Sequence, residues 1–338
     1  MRTDTLEAVL SVLGSIFDVA RSTILERDNL TLKPGTPLLS PLRYPGSKRR
    51  LAQYLQATIQ LNELSPKLYV EPFAGGASVA LQLACNGIVE KIGLSDLDPL
   101  IASFWKCVFF DTDWLVEAIK RVEVTLENWE VQKASNPDDD RGRALKCIFL
   151  NRTSFSGIIA PGAGPIGGKT QRSAYDIGCR FTKATVIKRI HQASMLRDKV
   201  AFVWNLRWER CLTAMVDYTK GLDTDQVFLY LDPPFYFKAE RLYTYYFTDS
   251  DHYALHDALS TISVPWLLSY DPAKPIEELY SSNGLKPKCV EQLYSIAGSS
   301  GISTAQELVV TNLPLLPERS RLWQTDTRRK TARKSVIT

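Results

Sequence analysis

The sequence predicts a parallel, doubly wound α/β sheet, antiparallel at one edge and interrupted by a mostly helical insertion. Three observations carry this prediction. Short apolar runs alternate with helix-length segments, the pattern of strands joined by crossover helices. Between about residues 106 and 199 that rhythm is lost, and two or three helices and a glycine-rich stretch, Ser156 to Gly168, take its place. Near the end, two β-rich runs flank Gly298-Ser299-Ser300-Gly301, which suits a closing hairpin. A chain of 338 residues, 45% hydrophobic and 23% charged, has material for about two domains and a sizeable core. Wholesale disorder is excluded.

The elements follow in order. Residues 5 to 27 set Leu6, Val9, Leu10, Leu13, Ile16, Phe17, Ala20, Ile24 and Leu25 mostly three and four apart, an amphipathic helix that Asp4 can cap. Its apolar stripe suits packing on its own domain, or docking to a protein partner or a second copy. Lys33-Pro34-Gly35-Thr36-Pro37 ends it, because prolines and glycine favour an extended or turning chain. Strands are expected at Leu68 to Phe73, Lys91 to Ser95, Val200 to Trp204, Gln226 to Leu231 and Val264 to Ser269. Ala77 to Cys85 and His252 to Ile262 are helices between them, and Lys288 to Ile296 pairs with Gln306 to Thr311 as the hairpin. From Glu318 onward seven basic residues face Glu318 and Asp326, which reads as a mobile basic end. The division is therefore a leader at 1–32, a catalytic domain at 33–105 and 200–316, an inserted domain at 106–199 and a tail at 317–338.

Composition narrows the class further. The longest apolar runs, such as Val108 to Phe110 and Val227 to Leu231, fall far short of the ~20 residues of a membrane-spanning helix. The first residues lack the uninterrupted apolar core of a secretory signal, so a cytoplasmic protein is expected. Six cysteines include no CxxC pair, which argues against a zinc site or a redox pair and for buried reduced thiols. His252 and His256 lie four apart, yet Tyr253 stands where a zinc peptidase needs glutamate, so no metal is expected. A net charge of +4 permits a nucleic-acid partner without requiring one.

Chemistry concentrates in four places. Glu71-Pro72-Phe73-Ala74-Gly75-Gly76-Ala77-Ser78 follows a strand and opens a helix; small residues let the backbone turn sharply beside a ligand, although the dinucleotide pattern GxGxxG is not met. About twenty residues on, Asp96 ends the next strand, where a carboxylate can bond the two hydroxyls of a ribose or cap the following helix. Tyr230-Leu231-Asp232-Pro233-Pro234-Phe235 ends a later strand with an acid, a stiff backbone and a flat ring. The Asp232 carboxylate and the Pro233 carbonyl can accept both N–H bonds of an exocyclic amine, favouring the pyramidal nitrogen that attacks a methyl group. Upstream, in Arg43-Tyr44-Pro45-Gly46-Ser47-Lys48, Gly46 permits close approach and Lys48 can pair with a ligand carboxylate.

In this order the motifs resemble the Dam-like DNA N6-adenine methyltransferases of the alpha group, from about Pro41 to Pro314, with Phe149-Leu150-Asn151-Arg152 opening the recognition domain. The resemblance implies a Rossmann-like, seven-stranded class I methyltransferase sheet, S-adenosylmethionine as donor and a flipped adenine of double-stranded DNA as acceptor. It implies that Tyr44, Pro45, Gly46 and Lys48 hold the methionine part, and that Glu71, Phe73, Ala74, Gly75 and Asp96 hold the adenosine part, with Asp232 beside them. Asp232, Pro233, Pro234 and Phe235 hold the target base. Base flipping fits the clamp independently, because an amine inside a stacked duplex cannot reach a buried methyl donor.

Arg152, Phe155, Lys169, Gln171 and Arg172 are the candidate DNA contacts, the last three set among glycines where they can follow a phosphate backbone. Two departures stand out. Phe235 replaces the commoner tyrosine, keeping the stacking face and losing a hydroxyl. After Asn151-Arg152 the chain runs to Ile159-Ala160-Pro161 with no arginine where GATC enzymes read guanine, so a different target is expected. The rival readings are a non-catalytic DNA-binding subunit of a restriction or defence complex and an RNA adenine methyltransferase; Asp232 rather than asparagine leans away from NPPY-type enzymes.

Overall fold

Seven strands form one sheet in the order β3-β2-β1-β4-β5-β7-β6. The structure is a computed structural model that describes residues 32–44, 48–237, 239–282, 284–295, 302–318 and 320–322. The strands are β1 (Leu68–Glu71), β2 (Lys91–Ser95), β3 (Val200–Trp204), β4 (Val227–Leu231), β5 (Trp266–Tyr270), β6 (Lys288–Ser295) and β7 (Ile302–Thr311). β1 to β5 are parallel, whereas β7 runs antiparallel to both β5 and β6. The mixed edge is the hairpin expected from the sequence, with β7 beginning four residues earlier because Ser303 and Thr304 continue the pairing against Tyr294 and Leu293.

The central strands read as continuous apolar runs because both faces are covered. Alternation sorts their side chains: Tyr69, Phe228, Tyr230 and Leu267 enter one core, while Val70, Leu229, Leu231 and Leu268 enter the other. The first core is closed by α1 (Leu51–Leu61), α2 (Ser78–Cys85), α3 (Pro99–Phe110), α4 (Thr112–Arg121), α5 (Leu126–Ala134), α6 (Asp140–Thr153) and α7 (Lys183–Ser194). The second is closed by α8 (Trp208–Tyr218), the later α10 (Asp249–Thr261) and α11 (Lys274–Ser281), with the short α9 (Ala239–Leu242) between β4 and α10.

The helical insertion is present and packs into the first core of the sheet. The boundary between residues 105 and 106 falls inside α3, where Trp105 stacks on Phe109. Leu115, Ile119, Phe149 and Ile190 of α4, α6 and α7 share one core with Leu81, Ile92 and Phe104 of the catalytic part. The insertion has no core of its own because its apolar faces pack on α3.

Two further expectations change. Cys85, Cys107, Cys147 and Cys211 are buried free thiols, Cys179 is half-buried, and Cys289 is exposed on the edge strand β6, where alternation sends its neighbour Val290 inward. The basic tail does not start at 317 as a mobile arm: Glu291 donates its N–H to the Ser320 carbonyl at 2.6 Å, and Leu322 donates to the Glu291 carbonyl at 3.0 Å, pairing the chain to β6. The leader helix, the hairpin tip and the tail beyond 322 lie outside the described residues. Among the described residues no helix is long and apolar enough to cross a membrane.

One packing contact yields a test. A Cβ on Gly93 of β2 would lie 2.2 Å from Cζ of Phe202, whose ring stacks on Trp204. Gly93→Ala is expected to destabilise by about 1–3 kcal/mol, read as a lower urea midpoint, with Phe202→Leu restoring part of the loss.

Candidate active site

The order of connections reverses between β1 and β4: the chain fills β2 and β3 on one side of β1, then crosses to β4 on the other. Open α/β sheets bind ligands in the crevice outside the carboxyl ends of the strands at such a switch point. A cleft of about 1170 Å³, open solvent at its mouth included, lies there. Phe73, Asp96, Asp232 and Pro234 line it from the strand ends, and Tyr44 and Lys48 from the segment before α1. Ile158, Ile159 and the aromatic-rich run Tyr243 to Phe247 line it as well.

The turn after β1 is shaped by its neighbours. Gly75 has φ +43°, and a Cβ there would lie 2.7 Å from Cε1 of Tyr44, so glycine lets the Tyr44 ring pack on the turn. The Gly75 N–H donates to Asp96 Oδ2 at 2.8 Å, and the Asp98 N–H donates to Oδ1 at 2.9 Å. The capping role open to Asp96 belongs instead to Asp98, which accepts from the Leu100 N–H at 2.9 Å and opens α3. Asp96 is thereby held at the end of β2, facing the cleft. Phe73 meets Phe247 edge-on at 5.7 Å. Glu71 also lines the cleft, and its buried Oε1 accepts from the Ala80 N–H at 2.9 Å and the Tyr69 hydroxyl at 3.0 Å.

At the end of β4, Asp232 Oδ1 accepts from the Ser269 hydroxyl at 3.1 Å and faces Lys48 Nζ at 2.9 Å. Lys48 Nζ is also 3.4 Å from Glu307 Oε1. Lys48, expected to pair with a ligand carboxylate, lines the cleft with its side chain 3% exposed, and its ammonium takes the protein carboxylates nearest to it. Asp232 remains 25% exposed toward the cleft. Burial raises the Asp232 carboxyl above its ordinary value, outweighing the pull of Lys48 and Ser269 in the other direction. Beyond the prolines, Asp271 accepts from the N–H groups of Tyr236 at 2.8 Å and Phe237 at 3.4 Å, fastening the loop. Phe235 meets Tyr243 edge-on at 5.9 Å, and Tyr243 lies 6.0 Å from Tyr44. Asp232 and Pro234 thus line the same cleft as Asp96 and Phe73, whereas Pro233 and Phe235 are not among its lining residues and Phe235 packs on Tyr243.

Residues 44–296, most of the chain, match the model of the D12 class N6 adenine-specific DNA methyltransferases. The chain belongs to the D12 class N6 adenine-specific DNA methyltransferase family. M.MjaIII, a type II methyltransferase of Methanocaldococcus jannaschii, is 27% identical over 133 residues, which cover 35% of this chain and 46% of that protein. The chain therefore spans about half the length of that relative.

Within this member of the D12 class, Asn151 and Arg152 act inward. Asn151 accepts from the Arg43 N–H at 2.7 Å and donates to the carbonyls of Arg43 at 3.0 Å and Gly157 at 2.8 Å. Arg152, expected as a DNA contact, is 5% exposed and donates to the Pro41 carbonyl, bonding the segment that carries Tyr44. Gln171 is likewise turned inward, donating to the carbonyls of Ile166 and Gly168, both at 2.7 Å, and accepting from the Ile177 N–H at 2.9 Å. Phe155, 62% exposed, and the exposed Lys169 and Arg172 stay free to meet a ligand. Pro45 and Gly46 lie outside the described residues.

Sequence reading missed Ser269, Asp271, Glu307 and Tyr243, whose roles come from strand register and chain crossing. Ser269 and Asp271 had one signal: they flank the end of an expected strand neighbouring the Asp232 strand. His252 bonds Tyr270 at 2.8 Å and His256 meets Asp257 at 3.0 Å, so both serve local contacts.

Burial pushes Glu71 up to about 8 and Asp96 up to about 7. The folded chain therefore binds these protons more tightly than the unfolded chain, whose carboxyls titrate near 4.5 and 3.8. The associated stability is full below the unfolded values and is lost as pH rises through the folded ones. The melting temperature of the ligand-free protein is expected to fall between pH 4.5 and about 8, and Glu71→Gln should flatten that slope. A melting temperature rising steadily across this window would contradict the assignment.

Proposed function

We propose that this chain transfers the methyl group of S-adenosylmethionine to N6 of an adenine flipped out of double-stranded DNA, at a defined site other than GATC. Asp232 and Pro234 lining the same cleft as Asp96 and Phe73, with Pro233 and Phe235 adjoining them in the chain, carries this reading. The motif order supports a Dam-like, alpha-group arrangement within the D12 family. Segment 106–199 is the recognition part, built onto the catalytic core; Phe155, Lys169 and Arg172 face outward there, and phosphate contacts by the two cations would position the duplex.

The cleft suits the cofactor by its donor set. Phe73 offers an aromatic face, Asp96 a carboxylate at a strand end for ribose hydroxyls, and Tyr44, Glu71, Ala74 and Gly75 complete the wall. S-adenosylmethionine supplies an electrophilic methyl group. Asp232 and the Pro233 carbonyl accept the two N–H bonds of the target amine, and the Phe235 ring supports the base. Holding both hydrogens to one side directs the nitrogen lone pair away from the ring. No strong base is required, since the proton is acidic once the nitrogen is cationic and can leave to water. The missing hydroxyl of Phe235 removes no group from this scheme. Ala160 is buried and its carbonyl accepts from Lys133 Nζ at 2.6 Å, which favours a structural role for that position over reading guanine.

Modified-base sequencing of DNA from a methylation-deficient host tests the reading. N6-methyladenine is expected at one recurring motif, and absent with Asp232→Ala. Methylation at GATC would overturn the specificity, and no methylation by the folded protein would favour a non-catalytic DNA-binding subunit. In purified protein Phe235→Tyr is expected to change kcat by less than about threefold, a transition-state difference under ~1 kcal/mol.

A further inference from the structure

A second carboxylate lies behind the amine clamp. β7 runs antiparallel to β5 with Leu308 opposite Tyr270, so the residue before Leu308 reaches the carboxyl ends of the parallel strands. That residue is Glu307. Strand alternation sends Leu308 into one core and Glu307, with Val309, to the opposite face, where its side chain is 3% exposed. Lys48 Nζ lies between the two acids, 2.9 Å from Asp232 Oδ1 and 3.4 Å from Glu307 Oε1, and 5.2 Å from the Phe235 ring centroid.

In this position Lys48 obstructs the proposed reaction. Its ammonium holds Oδ1 of Asp232, one of the two oxygens that could accept the target amine, and stands over the ring on which the base would rest. An ammonium that left Asp232 for an apolar surrounding would be an uncompensated buried charge, a costly state. Glu307 removes that difficulty by offering a carboxylate a short swing away. We propose that Glu307 is a positioning residue that receives the Lys48 ammonium when the target amine takes Asp232. The inference rests on the methyltransferase reading and deepens it: the clamp exchanges one N–H donor for another without ever stranding a charge.

Glu307→Gln keeps the shape and removes the charge, leaving Lys48 committed to Asp232. At least a tenfold fall in kcat/KM for DNA is expected, with the dissociation constant for S-adenosylmethionine within twofold of the unsubstituted protein. With 2-aminopurine at the target position, the fluorescence rise on binding should shrink in parallel. Because Lys48 then favours the ionised Asp232, the acidic limb of the kcat/KM profile should move to lower pH, a shift that a purely structural residue would not produce. In a Lys48→Gln background, Glu307→Gln should add less than a twofold change, since its effect passes through Lys48.

Activity of Glu307→Gln within twofold of the unsubstituted protein, a parallel loss of cofactor affinity, or an equal loss in the Lys48→Gln background would each overturn the inference. Should the glutamine variant not fold, Glu307→Asp serves: its carboxylate is withdrawn by one methylene, so a lower kcat/KM and the same direction of pH shift are expected, and an unchanged profile refutes it. Absence of methylation by the unsubstituted protein would defeat the underlying methyltransferase reading and this inference with it. Methylation by that protein alongside an inert Glu307 substitution would defeat the inference alone.

Discussion

Burying Lys48 and Asp232 against each other, with their charged atoms 2.9 Å apart, commits distant parts of the chain to one arrangement. Lys48 arrives on the segment before α1, Asp232 on the end of β4, Ser269 from β5 and Glu307 from β7. A carboxylate and an ammonium removed from water are tolerable only when each finds the other and the remaining hydrogen bonds are made. The pair therefore acts as a checkpoint on assembly: strand order, register and the approach of the upstream segment must all be right for it to form. The same requirement leaves the acid at the edge of the cleft, where part of it stays accessible.

Around that pair the turn after β1 and the upstream segment shape one another. Tyr44 packs on Gly75, whose N–H holds Asp96, while the indole N–H of Trp105 donates to the Gly75 carbonyl at 2.9 Å. A side chain at 75 would strike the Tyr44 ring, so the glycine serves the protein's own packing before any ligand arrives. Asn151 and Arg152 extend the same arrangement from α6 by bonding the backbone of Arg43 and Pro41. The insertion is thus fastened to the wall of the cleft through polar contacts as well as through its shared core, and the exposed residues of its loop are displayed from a rigid base.

The parallel sheet was legible from the sequence because strands covered on both faces carry continuous apolar runs, and the hairpin because β-forming stretches flank a glycine-serine turn. Asp96 and Asp232 were legible because an acid at the end of such a run has few other reasons to be there. The stiffness of Asp232-Pro233-Pro234-Phe235 was legible for a local reason too: the segment is contiguous, so its backbone restriction is a property of a few linked residues. In contrast nothing local to Arg152 and Gln171 showed that both bond the protein's own backbone. Charge and hydrogen-bonding capacity say that a partner is needed, but not whether it is a phosphate or a carbonyl.

By itself the sequence determined which segments are strands and helices, where their turns fall, and that acids end the strands beside small or aromatic residues. These features depend on neighbours along the chain, through periodicity, turn chemistry and proline stiffness. Only the tertiary structure decided that Lys48 faces Asp232 and Glu307, that Ser269 and Asp271 brace the clamp, and that the insertion shares the core of the sheet. Those outcomes depend on register between strands far apart in sequence and on which buried charges come within reach of one another, and neither is written in local pattern.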